Sequence, residues 1–182
     1  MGKLKDLINR WRHARGYGVH SPFGYELVTR AVHPGDYGWY GYSAIEGAMG
    51  HDPDFSVRRQ ARMLLRLAAF LQPKSAFLPQ GSHPAYHAAL SAADSRMKIK
   101  RVSKLASECE MISSNADFIP KEVLIGNLRQ PNHWIVVRDI PKGWADDIYN
   151  SLEEGLMFEG PRNLFVINRP GMQKVRHTMP IG

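Results

Sequence analysis

The stretch that decides the fold is PKSAFLPQGSHPAYHAALSAAD, residues 73–94. It predicts a short apolar strand (SAFL), a turn through Gln80, Gly81 and Ser82, and an Ala-rich helix with Ser82 as its N-cap. Pro84 fits the first turn of that helix, where a missing N–H costs nothing. A strand, a glycine-containing turn and a helix form the first half of a βαβ unit, in which nucleotide-like ligands meet backbone N–H groups.

Helical and strand-like patterns alternate along the rest of the chain. Residues 56–72 predict an amphipathic helix with a solvated face of arginines at 58, 59, 62 and 66. Either Asp54 or Ser56 is expected to begin this helix. Strands are predicted over residues 98–103, 122–126, 134–137, 164–167 and 173–178, and helices over 105–115 and 141–154. This alternation predicts an α/β fold with three layers, in which helices cover both faces of a mostly parallel sheet.

Before this core, the sequence predicts a helical extension with a long loop. Residues 2–14 form an amphipathic helix candidate, which binds an anionic interface or, as the sequence favours, docks on the domain's own core. Ser21 followed by Pro22 predicts another helix start. Residues 33–54 have the composition of a loop whose aromatic side chains either stack on a planar ligand or pack as a lid.

Composition places the chain among ordinary globular proteins. It has 182 residues, 43% of them hydrophobic and 23% charged, which suits one domain with a sizeable core. No apolar run approaches the roughly 20 residues of a membrane span, and charges interrupt any signal-peptide core. The lone Cys109 excludes an internal disulfide and favours a reducing compartment, so we expect a cytoplasmic protein.

The net charge of +7 is spread along the chain rather than concentrated in one stripe. Such a charge favours weak contact with anionic surfaces in general. Without a dense basic stripe or a recognised motif, we expect no specific nucleic-acid partner.

Three segments together carry a resemblance to a known family. GYGVHSPF (residues 16–23), the helix sequence RRQARMLLRLAAFLQPK and the strand–turn–helix unit after it resemble bacterial class I S-adenosylmethionine-dependent methyltransferase-like proteins. The resemblance implies one Rossmann-like domain over residues 1–182, with a helical and loop extension over 1–55 and an α/β core over 56–182.

In that family, the first strand runs into an acidic residue and a glycine-rich turn of the form E-x-G-x-x-x-G. Here Leu78 stands at the acidic position, Gln80 at the first glycine and Pro84 at the last, so the cofactor motif is degenerate. The cofactor-binding positions that the resemblance implies are Gln80, Gly81, Ser82, Ser103 at the end of the second strand, and Asp139 after a later strand.

Two departures from the family pattern bear on the cofactor. Side chains replace glycines where the backbone should approach the cofactor's amino-acid moiety. The second strand ends at Ser103 and Lys104 rather than at a carboxylate for the ribose hydroxyls, which removes roughly 1.5–3 kcal/mol of binding. We therefore expect no cofactor, and S-adenosylmethionine only if the domain is active.

The catalytic candidates are His20 and Asp139. His20 lies among glycines beside a serine and is an acid/base candidate in a pocket. The alternative, a structural histidine that satisfies backbone groups, is favoured because no second catalytic group stands at a recognisable spacing.

Metal and nucleophile chemistry receive less support from the sequence. His83 and His87 stand four apart on one helix face, with His133 as a distant third ligand, but a bare pair is a weak motif and we expect no metal. Cys109 is predicted to lie in a helix beside Glu108 and Glu110, whose charges raise the pKa of the thiol and argue against a nucleophile.

Three functions are compatible with these observations. The first, which we expect, is a methyltransferase-like domain without catalysis that serves as a binding or interaction module for a protein or a small molecule. The second is an active methyltransferase with an atypical cofactor pocket around Gly81, Ser82 and Asp139, with His20 near the acceptor. The third is a peripheral membrane or nucleic-acid-associated protein that uses its basic segments. The aromatic loop also leaves self-association open.

Overall fold

The computed structural model describes residues 21–34, 38–103 and 109–179, which form one sheet flanked by helices. The helices are α1 (Pro22–Leu27), α2 (Tyr42–Met49), α3 (Phe55–Leu71), α4 (Pro84–Ala93), α5 (Lys121–Leu128) and α6 (Trp144–Ser151). The strands are β1 (Ser75–Pro79), β2 (Lys98–Val102), β3 (Met111–Asn115), β4 (Trp134–Arg138), β5 (Gly155–Glu159), β6 (Asn163–Asn168) and β7 (Val175–Thr178). A π-helical turn, Val28–Val32, continues α1, and a 3-10 turn, Ala116–Phe118, follows β3.

The sheet has the strand order β2-β1-β3-β4-β6-β5-β7. β1 pairs in parallel with β2 and β3, β3 with β4, and β5 with β7. Within this sheet β6 runs against its neighbours β4 and β5. The predicted α/β class with a mostly parallel sheet is therefore confirmed, and the carboxyl ends of β1 to β4 lie at one edge, which we call the carboxyl edge.

Alternate residues of the strands supply two cores, one on each face of the sheet. Leu78 and Val136 belong to the core that packs under α1 to α4. Their neighbours Phe77 and Ile135 belong to the core that packs under α5 and α6. Both faces are covered, which explains why the central strands read as continuous apolar runs instead of alternating ones.

The local signals for helix starts were mostly correct. The Ser21 hydroxyl accepts a hydrogen bond from Gly24 N at 3.2 Å, and Asp54 Oδ1 accepts from Ser56 N at 2.8 Å. The N-cap of α4, however, is His83 rather than Ser82, because the Ala85 amide donates to His83 Nδ1 at 3.1 Å. The solvated arginine face of α3 also has an exception, since Arg66 is only 8% exposed.

Two element types were predicted wrongly. The helix predicted over 105–115 is contradicted at residues 111–115, which form β3, while 104–108 lie outside the described ranges. The strand predicted over 122–126 is part of α5. Leu124 and Leu128, four apart, are buried in the same core, and this helical face outweighs the strand-like composition of EVLIG.

Glycines and loops account for the remaining errors. The loop predicted over 33–54 contains α2. The helix predicted over 141–154 is confined to Trp144–Ser151, and Gly155, taken as a breaker, begins β5 with a φ of 120°. A glycine in that conformation starts the strand because its backbone adopts angles that side chains rarely permit.

The described part of the N-terminal extension packs into the domain. Leu27 in α1, Val32 in the π-helical turn, and Ile45 and Met49 in α2 are buried in the same core as the sheet. The amphipathic helix predicted over residues 2–14 lies outside the described ranges. Among the helices that can be described, none combines the length and hydropathy that crossing a membrane requires.

Candidate functional site

The turn after β1 is the first part of the predicted site. Gln80 and Gly81 are exposed and Ser82 is half-buried. The backbone N–H of Gln80 donates to the Val102 carbonyl at 3.3 Å, and the backbone N–H of Ser82 donates to the Pro79 carbonyl at 3.0 Å. Two amides of this turn are thus already used inside the protein, where a ligand would need them free.

The N-terminus of α4 offers few further donors. Pro84 has no N–H, and the Ala85 amide is taken by His83 Nδ1. Because Nδ1 accepts that bond, the ring proton is on Nε2 and is donated to Asp52 Oδ2, 3.1 Å away. The cap therefore stabilises the helix and fixes the turn, but it leaves little for an anionic ligand.

Ser103, at the end of β2, lies beside a cleft. It lines, with Phe118, Ile119, Val123 and Trp144, a mostly apolar cleft of about 590 Å³ at the carboxyl edge. Phe118 is 51% exposed there. This cleft lies towards α5 and α6, and Gln80, Gly81 and Ser82 do not line it.

Asp139 follows β4 and has a left-handed backbone conformation with φ 53°. Its Oδ1 is 2.6 Å from Arg162 Nη2, and its Oδ2 accepts from Asn115 Nδ2 at 3.3 Å. Both carboxylate oxygens of this predicted site residue therefore have partners within the protein.

A buried arginine next to Asp139 was not predicted. Arg138 is 3% exposed, and its Nε donates to Asn115 Oδ1 and its Nη1 to Ser113 Oγ, both at 2.9 Å. Both partners are neutral, and the Arg138 Cζ lies 4.2 Å from the centre of the Tyr86 ring. Burial lowers the pKa of Arg138, while the charges of Tyr86 and Asp139 oppose that shift.

Tyr86 links this arginine to α3. Its hydroxyl donates to Gln60 Oε1 at 2.7 Å, and burial raises the pKa of the phenol against the influence of Arg138. The side chains form a continuous polar network, which we call the carboxyl-edge network: Gln60, Tyr86, Arg138, Ser113, Asn115, Asp139 and Arg162.

The one sequence signal for this network is an arginine at the end of an otherwise apolar strand, WIVVR. Charged side chains are rarely fully buried without partners, so Arg138 was identifiable as a residue in need of them. Its partners on β3 and α4 were not, because they depend on the strand order.

The predicted site residues occupy separate places along the carboxyl edge. The turn from Gln80 to Ser82 follows β1, and Asp139 follows β4; β3 lies between them, which puts their strands two spacings or about 10 Å apart. Ser103 follows β2 on the other side of β1. His20 lies outside the described ranges, so its role as a catalytic candidate near an acceptor stays a prediction.

The histidine pair and the aromatic segment, where the structure describes them, form no metal site or ligand site at the carboxyl edge. In the described part of the chain, no group of three His, Cys, Asp or Glu residues is arranged to hold a metal ion. Trp39 and Tyr40 of the aromatic segment line a cleft with Phe70, near the end of α3 that leads to the start of β1. They lie at the opposite edge of the sheet from the predicted cofactor site.

Cys109 lies just before β3 rather than inside a helix. It is 1% exposed, and burial, not the acidic neighbours proposed from the sequence, is the main cause that raises the pKa of its thiol. Lys100 and Ser75 oppose the shift.

Comparisons of the chain with protein-family models, with curated proteins and with solved structures found no match.

Proposed function

We propose that this chain is a Rossmann-like, methyltransferase-like domain that acts as a binding module and does not transfer methyl groups. The sheet supports the family part of the proposal. In that family an antiparallel pair closes the sheet, and the sequence predicts that this pair is short or incomplete here; β5 and β6 pair antiparallel over five positions. β1, the turn and α4 follow in the order that the resemblance implies.

The observation that carries the loss of cofactor binding is the use of the donors after β1. The Gln80, Ser82 and Ala85 amides are bonded within the protein, and Pro84 has none. A cofactor carboxylate that uses any of these three amides must first break its existing hydrogen bond, and each costs about 1 kcal/mol to exchange.

The neighbouring strand ends support the same conclusion. In β2, the Arg101 guanidinium donates to the Gln80 carbonyl at 3.3 Å, so a cation occupies the region where a ribose would need a carboxylate. Asp139 is engaged by Arg162 and Asn115. The lone, buried Cys109 favours a reducing compartment, and we propose the cytoplasm as the location.

Isothermal titration of the purified chain with S-adenosylmethionine and S-adenosylhomocysteine tests this proposal. We expect no heat of binding up to millimolar ligand from protein that is folded by circular dichroism. The expected result follows from the internal use of the turn's donors.

The opposite outcome supports the alternative function, an active methyltransferase with an atypical pocket. Micromolar binding that Asp139→Ala removes would contradict our proposal and would justify a screen for acceptor substrates. Glu153→Ala is the matched control, because Glu153 is an exposed acid between α6 and β5 at the other edge of the sheet.

A further inference from the structure

A cleft on the outer side of α3 collects four arginine side chains. It measures about 630 Å³, within the size range of small-molecule sites. Arg58, Arg59, Arg62 and Arg66 line it from α3, together with Tyr42 of α2 and Phe55 at the start of α3. We call it the arginine cleft; neither the carboxyl-edge network nor the proposed function uses these side chains.

The positive charge in the arginine cleft exceeds the negative charge that the described residues bring to it. Glu46 accepts from Arg58 Nε at 2.9 Å and from Arg62 Nη2 at 2.7 Å. The nearby Asp54 carboxylate instead caps α3 through two backbone amides. Among the described residues, Glu46 alone forms ion pairs with these arginines, and the charge of Asp52 also acts on Arg58, so the four guanidinium groups keep a net positive charge.

Arg66 shows that this excess extends into a buried position. It is 8% exposed, yet among the described residues its hydrogen bonds go to the carbonyls of Ala31 and Val32 and to the Tyr42 hydroxyl, none of which carries a negative charge. Burial lowers the pKa of Arg66, and the charge of Arg62 adds to the effect. A buried cation with neutral partners gains from a nearby anion, because the surrounding dielectric is low.

The cleft also has unused hydrogen-bonding capacity. Arg62 Nε is buried and has no hydrogen-bond partner within the described ranges. Arg59 is exposed and forms no ion pair with any other residue that the structure describes. Guanidinium groups bind phosphate oxygens through paired N–H donors, so these two side chains are suited to a phosphate group.

Aromatic rings complete the arginine cleft. The Tyr42 ring lies 4.7 Å from Arg62 Cζ while its hydroxyl holds Arg66 at 2.7 Å, so one tyrosine orients two of the arginines. Phe55 is 68% exposed and lines the same cleft. An exposed ring beside a cationic pocket offers a stacking surface to a planar ligand.

We propose that the arginine cleft binds a small phosphorylated compound with a planar ring, of the nucleoside diphosphate class. A nucleoside diphosphate carries about −3 charge at pH 7, because its terminal phosphate contributes about −2 and its inner phosphate about −1, and this charge suits the net positive charge of the cleft. The ring stacks on Phe55, and Arg59 and Arg62 contact the phosphates. This inference goes beyond the methyltransferase-like proposal, which concerns the turn after β1 and Asp139 after β4.

Isothermal titration with ADP, pyrophosphate and adenosine tests the proposal on the full chain at about 50 mM and about 250 mM salt. We expect ADP to bind more tightly than pyrophosphate, adenosine to give no heat, and ADP affinity to fall several-fold at the higher salt. Arg59→Gln should weaken ADP binding about tenfold with little effect on folding, because Arg59 is exposed and forms no ion pair with another described residue. Phe55→Ala should reduce ADP affinity to that of pyrophosphate.

Arg129→Gln is the matched control, since Arg129 is an exposed arginine after α5 and should leave the affinity unchanged. Absence of heat from both ADP and pyrophosphate at millimolar concentration would overturn the proposal. Equal affinity for the two would overturn its ring component. Phosphatidylserine vesicles serve as a further ligand in the same titration. Binding to these vesicles without binding to ADP or pyrophosphate would overturn the proposal and would assign the cleft to lipid headgroups. ADP binding that Asp139→Ala removes and Arg59→Gln does not would place the ligand at the carboxyl edge instead.

Discussion

Arg138 is a buried charge for which the structure provides neutral partners. Its charge is 3% exposed, and it is compensated by two neutral hydrogen-bond partners and one aromatic ring. Whether such a residue stabilises the fold depends on the balance between desolvation and the bonds it makes.

We predict that Arg138→Met lowers the free energy of unfolding by about 1–3 kcal/mol, because Asn115 and Ser113 each lose a buried hydrogen-bond partner. Urea denaturation followed by circular dichroism measures the change. Arg162→Met is the control, since Arg162 is 77% exposed and its removal should change stability by less than about 0.5 kcal/mol. An Arg138→Met variant as stable as the parent would show that the desolvation cost of the buried guanidinium equals the stabilisation from its hydrogen bonds.

Cys109 permits a second prediction at the scale of one residue. Its thiol is 1% exposed and burial raises its pKa, so little thiolate is available to react. We expect slow reaction with Ellman's reagent in the native protein and rapid reaction of one thiol in denaturant. Ser103→Cys, at an exposed position, should add a thiol that reacts quickly without denaturant. Rapid native reaction of the parent protein would contradict the buried position of Cys109.

At the scale of elements, the backbone requires a glycine at one position, Gly155, and would accept a side chain at another, Gly126. Gly155 begins β5 with φ 120°, and a Cβ there would lie 2.0 Å from the Ile167 carbonyl oxygen. Gly126 is inside α5, has no positive φ, and a Cβ there would meet nothing within 4 Å.

We predict that Gly155→Ala destabilises the protein by at least about 3 kcal/mol, because both the backbone angle and the β6 carbonyl oppose a side chain. Gly126→Ala should instead stabilise it by about 0.5–1 kcal/mol through helix propensity. Thermal unfolding of both variants tests the pair. Similar melting temperatures for the two would mean that β5 does not begin as the structure has it.

The wrongly predicted elements share a physical reason. EVLIG has the composition of a buried strand, and its helical form in α5 depends on packing against the sheet rather than on local preference. The segment MISSN has two serines that no strand pattern favours, yet both are fully buried in β3, where Ser113 accepts a hydrogen bond from Arg138. Tertiary contacts decided both elements.

At the scale of the whole molecule, Glu46 joins the N-terminal helices to the core. It binds Arg58 and Arg62 across the contact between α2 and α3. Burial acts to raise the pKa of Glu46, but the hydrogen bond from Arg62 and the charges of both arginines bring it below its ordinary value of 4.5.

A lowered folded-state pKa means that this carboxylate stabilises the protein above pH 4.5 and that the contribution disappears as the pH falls through the folded pKa. We predict that Glu46→Gln costs at most about 1 kcal/mol at pH 7, since the pair is partly exposed and screened. The difference from the parent should shrink as the pH falls below 4.5, which urea denaturation over a pH series would detect. A difference that does not change with pH would indicate lost packing rather than lost charge.

The sequence by itself determined the α/β class, the strand–turn–helix unit around β1, the helix start at Ser21, and the start of α3 to within the two candidates Asp54 and Ser56. These features depend on residues within a few positions of one another. Only the tertiary structure decided β5, the helical form of α5, the arginine cleft and the carboxyl-edge network. Asn115 and Arg138 are 23 residues apart in the chain, and they meet because β3 and β4 pair in register. Long-range pairing of this kind has no local signature, so the polar partners of a buried charge emerge only once the strand order exists.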